Sequence, residues 1–174
     1  MQKKCREKQI PVFYAFVDLE KAYDRVPREV VRWALRTAGV EEWLVETVMA
    51  LYHGASTAVR TDVGMSEWFG VKVGLHQGSA LSPLLFIIVM DVISKNIKEG
   101  LPWELLYADD LVLVAFSEQE LRRKIENWKK NLESKGMKVN MGKTKVMYSN
   151  DTGKRVMSKK DCRGSCCMQM IWFL

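Results

Sequence analysis

The sequence predicts an α+β domain in which an antiparallel sheet carries helices packed on one face. Three observations predict it. Ile10 to Val17 and Leu105 to Phe116 are apolar, β-branched and aromatic runs of strand length, and the second is interrupted by Ala108-Asp109-Asp110, the composition of a tight turn. The stretches between and after them repeat apolar residues at helical spacing and close on glycines, Gly39, Gly54 and Gly136. The order is strand, two helices, hairpin, loop, helix, hairpin, helix, strand, and hairpin-paired strands with helices against them make an α+β fold.

Each element has its own local cause. Met1 to Gln9 is strongly charged and reads as the tail of a helix. Ile10 to Val17 is a strand that delivers Asp18 at its end. Pro27 suits the first turn of a helix that runs to Ala38 and stops at Gly39. A second helix covers Glu41 to Tyr52, and its Trp43, Leu44, Thr47, Val48 and Leu51 fall at core spacing. Ser56 to Thr61 and Trp68 to Val73 read as strands joined through Asp62-Val63-Gly64. Gly74 to Ser82 is a polar loop, with Ser82 as N-cap and Pro83 opening a buried helix to Lys98. After the central hairpin, Ser117-Glu118-Gln119-Glu120 is a capping box that opens an amphipathic helix to Lys135. Met137 to Met147 returns to strand around Lys143-Thr144-Lys145.

The chain has 174 residues, enough for one domain with a core, and its composition is that of a globular protein. A net charge of +6 and a pI near 9.1 mildly favour a polyanionic partner such as nucleic acid. The apolar run Leu84 to Val92 is too short to span a bilayer and contains Asp91. With no signal peptide, the expectation is a soluble, intracellular protein with reduced thiols and no membrane contact. Cys162, Cys166 and Cys167 have poor zinc spacing and no neighbouring histidine, and His53 and His76 read as structural.

The chemistry lies in the acids. Asp109 and Asp110 are adjacent at the tip of a hairpin, and two such carboxylates repel unless a cation neutralises them. An aspartate-rich surface turn accounts for the pair as well. Should the strand that ends in Asp18 lie beside this hairpin, three carboxylates converge on one sheet edge. Three acids suit two Mg²⁺ ions about 3.5–4 Å apart, the arrangement of in-line phosphoryl transfer.

Four stretches together carry a family resemblance. Phe16-Val17-Asp18-Leu19-Glu20-Lys21-Ala22-Tyr23-Asp24, Gly74-Leu75-His76-Gln77-Gly78-Ser79-Ala80-Leu81-Ser82-Pro83-Leu84-Leu85-Phe86 and Tyr107-Ala108-Asp109-Asp110 resemble motifs A, B and C of reverse transcriptases. Gly136 to Asn140 with Lys143-Thr144-Lys145 resembles motif D, and the wording is nearest to the non-LTR retrotransposon branch. The resemblance covers Val12 to Ser149, with the four motifs in the right order and spacing.

That resemblance implies a polymerase palm that copies RNA into DNA, with Mg²⁺ (two ions, or Mn²⁺) as cofactor. An RNA template, a DNA primer and deoxynucleoside triphosphates are its implied partners. Asp18, Asp109 and Asp110 match the metal-binding triad, with the Leu19 carbonyl as a further ligand. Lys21 and Ala22 match the positions whose backbone N–H groups hold the triphosphate, and Tyr23 matches the steric gate against a 2′-hydroxyl. A plain core aromatic is the competing reading of Tyr23. Gln77 and Gly78 match the loop against the templating base pair, and Lys143 matches the lysine beside the leaving diphosphate, where a solvated surface lysine competes.

The sequence departs from the family in what surrounds the palm. Residues 1–150 read as a partial palm domain with fingers and thumb largely missing, and 151–174 as a basic then apolar tail that is not a domain. By itself this chain is therefore expected not to extend a primer. A catalytically inactive palm remnant that binds nucleic acid is the alternative function. A viral-type RNA polymerase shares the palm, but Tyr23 and Ala108 speak against it.

Overall fold

The first apolar run forms β1 (Val12–Val17), which lies at the centre of a five-stranded antiparallel sheet. Its neighbours follow from the computed structural model, which describes residues 10–97, 104–107, 109–150 and 153–155. The order is β6 (Glu104–Tyr107), β7 (Asp110–Ala115), β1, β8 (Lys145–Asn150) and β9 (Gly153–Arg155). A strand with neighbours on both edges and apolar residues on both faces is suited to the middle. Val12, Tyr14, Ala15 and Val17 are all buried. Against β7 the register pairs Tyr14 with Val114 and Val17 with Leu111; against β8 it pairs Tyr14 with Met147.

The chain divides into two compact units, one drawn from Met1–Glu20 and Ile97–Leu174, the other Lys21–Asn96. In the first, the helix Glu118–Ser134 packs on β1 and β7 and buries Leu121, Ile125, Trp128 and Leu132. The 4-3-4 spacing of those residues is one helical stripe. The Ser117 hydroxyl accepts from the Glu120 N–H at 3.1 Å, and the Glu120 carboxylate accepts from the Phe116 N–H at 3.0 Å. This is the expected capping box, with its return bond one residue earlier than the motif places it. The second face of the sheet holds a cluster of Val12, Tyr14 and Val114, flanked by Val112 and Met147. β9 pairs with β8, with Tyr148 opposite Arg155. The readings of Met1 to Gln9, of Ala108 and of the Cys162 to Leu174 tail lie outside the described residues.

The second unit contains α1 (Ala22–Arg25), α2 (Arg28–Thr37), α3 (Glu42–Ala50) and, up to Asn96, α4 (Leu81–Ile97). The expected core of α3 is corrected here. Trp43 is 64% exposed and Leu51, just past the helix end, 53%; Leu44 and Thr47 are exposed and Val48 is half-buried. Val45 is the helix's buried residue. Helical spacing shows which residues share a face, not which face finds a neighbour. Arg32 and Arg36 of α2 pair with Glu46 of α3, and Arg36 also with Glu42, which turns the 42-45-46 edge toward α2.

The predicted hairpin is present but split. β2 (Ser56–Thr57) pairs with β5 (Phe69–Gly70), and β3 (Arg60–Thr61) pairs with β4 (Gly64–Met65) across Asp62-Val63. Between the two ladders Ala58 and Val59 oppose three residues, Ser66 to Trp68, and an unequal count forces a bulge. α4 begins two residues before the expected Pro83. Its first turn is capped by Ser79, whose hydroxyl accepts from the Leu81 N–H at 3.3 Å, while Ser82 donates to the His76 carbonyl at 2.6 Å. Pro83 remains acceptable because a first-turn N–H has no intrahelical acceptor. Leu85, Phe86, Val89, Met90, Val92 and Ile93 are buried, as expected, and Leu84 and Ile87 form an exposed stripe. Among the described residues no helix is long and apolar enough to cross a membrane.

Candidate active site

In the first unit the sheet register decides where the acids stand. β1 and β7 are antiparallel neighbours, with Val17 facing Leu111. Asp18 is the residue after Val17 and Asp110 the residue before Leu111, so the two aspartates face each other at one end of the ladder. Facing residues share a sheet face, here the one that alternation gives to Tyr14, Phe16, Val112 and Val114. Asp109 occupies the turn between β6 and β7, where Tyr107 pairs with Asp110. Asp109 and Asp110 are exposed and Asp18 is half-buried. All three positions therefore come to one sheet end. Among the described residues no three His, Cys, Asp or Glu side chains form a ready-made cation cage.

The backbone of Asp18 is held from the far side. Its carbonyl accepts from the Asn140 N–H at 2.8 Å, and its N–H donates to the Thr144 hydroxyl at 3.4 Å. That hydroxyl is fully buried and donates to the Asn140 carbonyl at 2.9 Å. The Glu20 N–H donates to the Lys138 carbonyl at 2.8 Å, and the Glu20 carboxylate pairs with Lys138 at 3.2 Å. These two backbone bonds flank the Leu19–Val139 bridge, which directs the N–H and carbonyl of Leu19 away from Val139. The Leu19 carbonyl is thus not used by that bridge. The donor set of three carboxylates and a carbonyl, all hard oxygen, fits Mg²⁺ or Mn²⁺. Lys143 is exposed in the turn before β8, where its backbone N–H donates to the Asn140 side chain at 3.2 Å and to its carbonyl at 3.1 Å.

The second unit carries the other predicted residues. Lys21 has φ 49° and ψ 54°, and among the described residues it is the one non-glycine with positive φ. A left-handed lysine costs about 1–2 kcal/mol, and such conformations collect at functional sites. Ala22 is buried, and the half-buried Tyr23 ring stacks on buried Phe86 at 4.7 Å and 20°. Gly74 to Ser79 lies along the segment from Tyr23 to Val26. The Gly74 N–H donates to the Val26 carbonyl and the Leu75 N–H to the Tyr23 carbonyl, each at 2.9 Å. Gly74 has φ +87°, and a Cβ there would lie 2.8 Å from the Asp24 carbonyl oxygen, so the approach needs glycine. The Gln77 amide donates to the Asp24 carboxylate at 2.7 Å. Gly78 has φ +82° and open space where a Cβ would sit.

Sequence reasoning missed Thr144, Asn140 and Asp24 as parts of this framework. Each is an ordinary polar residue whose contact lies far away in sequence or runs through its backbone. The local signal was that Asp24 closes the motif A stretch and that Asn140 and Thr144 lie in the motif D stretches.

The model of a family described as reverse transcriptase (RNA-dependent DNA polymerase) matches residues 2–163. A Pol polyprotein of the type-1 retrotransposable element R2 from Nasonia vitripennis is 27% identical, over 88% of this chain and 16% of that protein. The type-2 element R2DM from Drosophila melanogaster is 30% identical, over 75% of this chain and 13% of that one. The chain thus spans about a sixth or less of the length of these relatives. Among solved structures, apo telomerase from Candida tropicalis, truncated from its C-terminal domain, superposes with a TM-score of 0.67 at 18% identity. It covers 85% of this chain and 33% of its own. Telomerase from Candida albicans in complex with a fragment of telomeric RNA gives 0.66 at 17% identity, over 90% of this chain and 33% of its own. At such identities the likeness is one of fold.

Proposed function

This chain belongs to the reverse transcriptase family, and from that premise we propose that it is the palm segment of a non-LTR retrotransposon polymerase that copies RNA into DNA. The observation that carries the reading is the placement of Asp18 opposite Asp110, with Asp109 in the adjoining turn. Asp18, Asp109, Asp110 and the Leu19 carbonyl hold divalent cations. When bound, such ions lower the pKa of the primer hydroxyl and neutralise charge on the leaving diphosphate. The protein contributes position and charge.

The remaining residues orient substrate. The backbone N–H groups of Lys21 and Ala22 receive triphosphate oxygens. Tyr23, braced on Phe86, sets its ring against the sugar and rejects a 2′-hydroxyl. Gln77 and Gly78 lie against the templating base pair, where the absent side chain at Gly78 leaves room for close approach. The Lys143 ammonium, on an exposed turn, serves the leaving diphosphate. The partners are an RNA template, a DNA primer and deoxynucleoside triphosphates inside the cell, and the net charge of +6 supports phosphate-backbone contact. Primer extension on an RNA template, by a polymerase containing this segment, is the test. Extension that Asp109→Asn abolishes is expected; extension that survives it overturns the reading.

A further inference from the structure

We propose that Asp24 is a positioning residue that dictates which end of the Gln77 carboxamide is presented to a bound nucleotide. The inference rests on reading Gln77 as a substrate contact and adds to it a residue that sets the polarity of that contact.

The loop that carries Gln77 has little freedom relative to Asp24. Paired backbone bonds from Gly74 to Val26 and from Leu75 to Tyr23 fasten its start, and the Pro27–Val73 bridge continues them. The glycine at 74 lets the two backbones approach to a distance that a Cβ would prevent. Beyond Gln77, the His76 carbonyl takes hydrogen bonds from the Ser82 hydroxyl at 2.6 Å and the Ser79 N–H at 3.2 Å, while the His76 ring packs on Tyr52 at 4.5 Å. What stays free is the rotation of the Gln77 amide, and Asp24 removes it with the 2.7 Å bond from Nε2.

A carboxylate offers only acceptors, so only the NH₂ end of a carboxamide can face it. The Gln77 oxygen is then turned away from Asp24. Gln77 is exposed, and it would meet a nucleotide with an acceptor in front, selecting a hydrogen-bond donor on the sugar or the base. Without Asp24 the amide is free to flip, and half of its orientations present the wrong group.

The test is a nuclear magnetic resonance titration of the 174-residue chain with Mg²⁺ and thymidine triphosphate, repeated with the 2′,3′-dideoxy analogue. The Gln77 side-chain amide signal is expected to move in Asp24→Ala. Asp24→Ala and Gln77→Ala should each weaken thymidine triphosphate binding about tenfold, and the double variant no further than Gln77→Ala. Asp24→Asn, which can face the amide with either end, should lie between at about threefold, and it carries the test should the alanine variant not fold. A loss seen with both nucleotides places the donor on the base; a loss with thymidine triphosphate alone places it on the sugar. Additive losses, or unchanged binding in Asp24→Ala and Asp24→Asn while Gln77→Ala is weakened, overturn the role of Asp24 and leave Gln77 in place. Unchanged binding in Gln77→Ala, or no uptake by the parent chain, overturns the substrate site itself and this inference with it.

Discussion

Asp18 and Asp110 face one another across the β1–β7 ladder, one step beyond the Val17–Leu111 pair, on the same face of the sheet. Two carboxylates so placed, with a third at Asp109 in the turn, repel each other and gain from a shared cation. Asp18→Asn, Asp109→Asn and Asp110→Asn should each lower Mn²⁺ affinity by at least about tenfold, since lesser changes around metal sites cost that much. A Mn²⁺ titration followed by electron paramagnetic resonance measures it. Parental affinity in Asp18→Asn would remove β1 from the site.

Thr144 joins the end of β1 to the turn before β8 through one buried hydroxyl. Thr144→Val keeps the shape and strands the Asp18 N–H, while the Asn140 carbonyl keeps the backbone N–H groups of Lys143 and Thr144. The expected loss is about 1–3 kcal/mol in urea unfolding. Mn²⁺ affinity should fall with it, because Asp18 loses part of its support. Full stability in the valine variant would show that the hydroxyl bridges nothing of consequence.

Tyr23 is braced by Phe86, so its ring cannot retreat from a sugar that comes up against it. Tyr23→Ala in an active polymerase should raise ribonucleotide incorporation relative to deoxynucleotide by about tenfold or more, a change of at least about 1.4 kcal/mol in selectivity. Single-nucleotide incorporation kinetics with each sugar measure the ratio. Equal discrimination in parent and variant assigns Tyr23 to the core alone.

Glu120 gives the fold an acid-sensitive contact. Burial pushes its carboxyl up, but the Phe116 N–H and the Lys124 ammonium outweigh that and hold it below the ordinary glutamate value of 4.5. A folded value below the unfolded one means that the contribution is fully present above about pH 4.5 and is lost as pH falls through the folded value. Glu120→Gln keeps an acceptor for Phe116 but does not titrate. Its unfolding free energy should therefore fall less than the parent's between about pH 5 and pH 3. Parallel pH profiles would assign the acid sensitivity to other groups.

Local chemistry was legible in the sequence alone. The β1 and β7 runs, the capping box at Ser117 and the glycine stop at Gly136, with φ +79°, are each determined within a few residues. The four motifs carried the family for the same reason, since each is a short contiguous pattern. Tertiary structure decided the rest. Helical spacing in α3 proposed Trp43 and Leu51 for the core, but which side of that helix is buried depends on where α2 lies. The meeting of Asp18 with Asp110 depends on register: one residue of slip between β1 and β7 would offset the two and turn one to the other face. Thr144 reaches Asp18 across 126 positions and Gln77 reaches Asp24 across 53, so no local pattern marks either pair. A single hydrogen bond leaves no periodicity in a sequence, and its partner is chosen only when strands and loops pack.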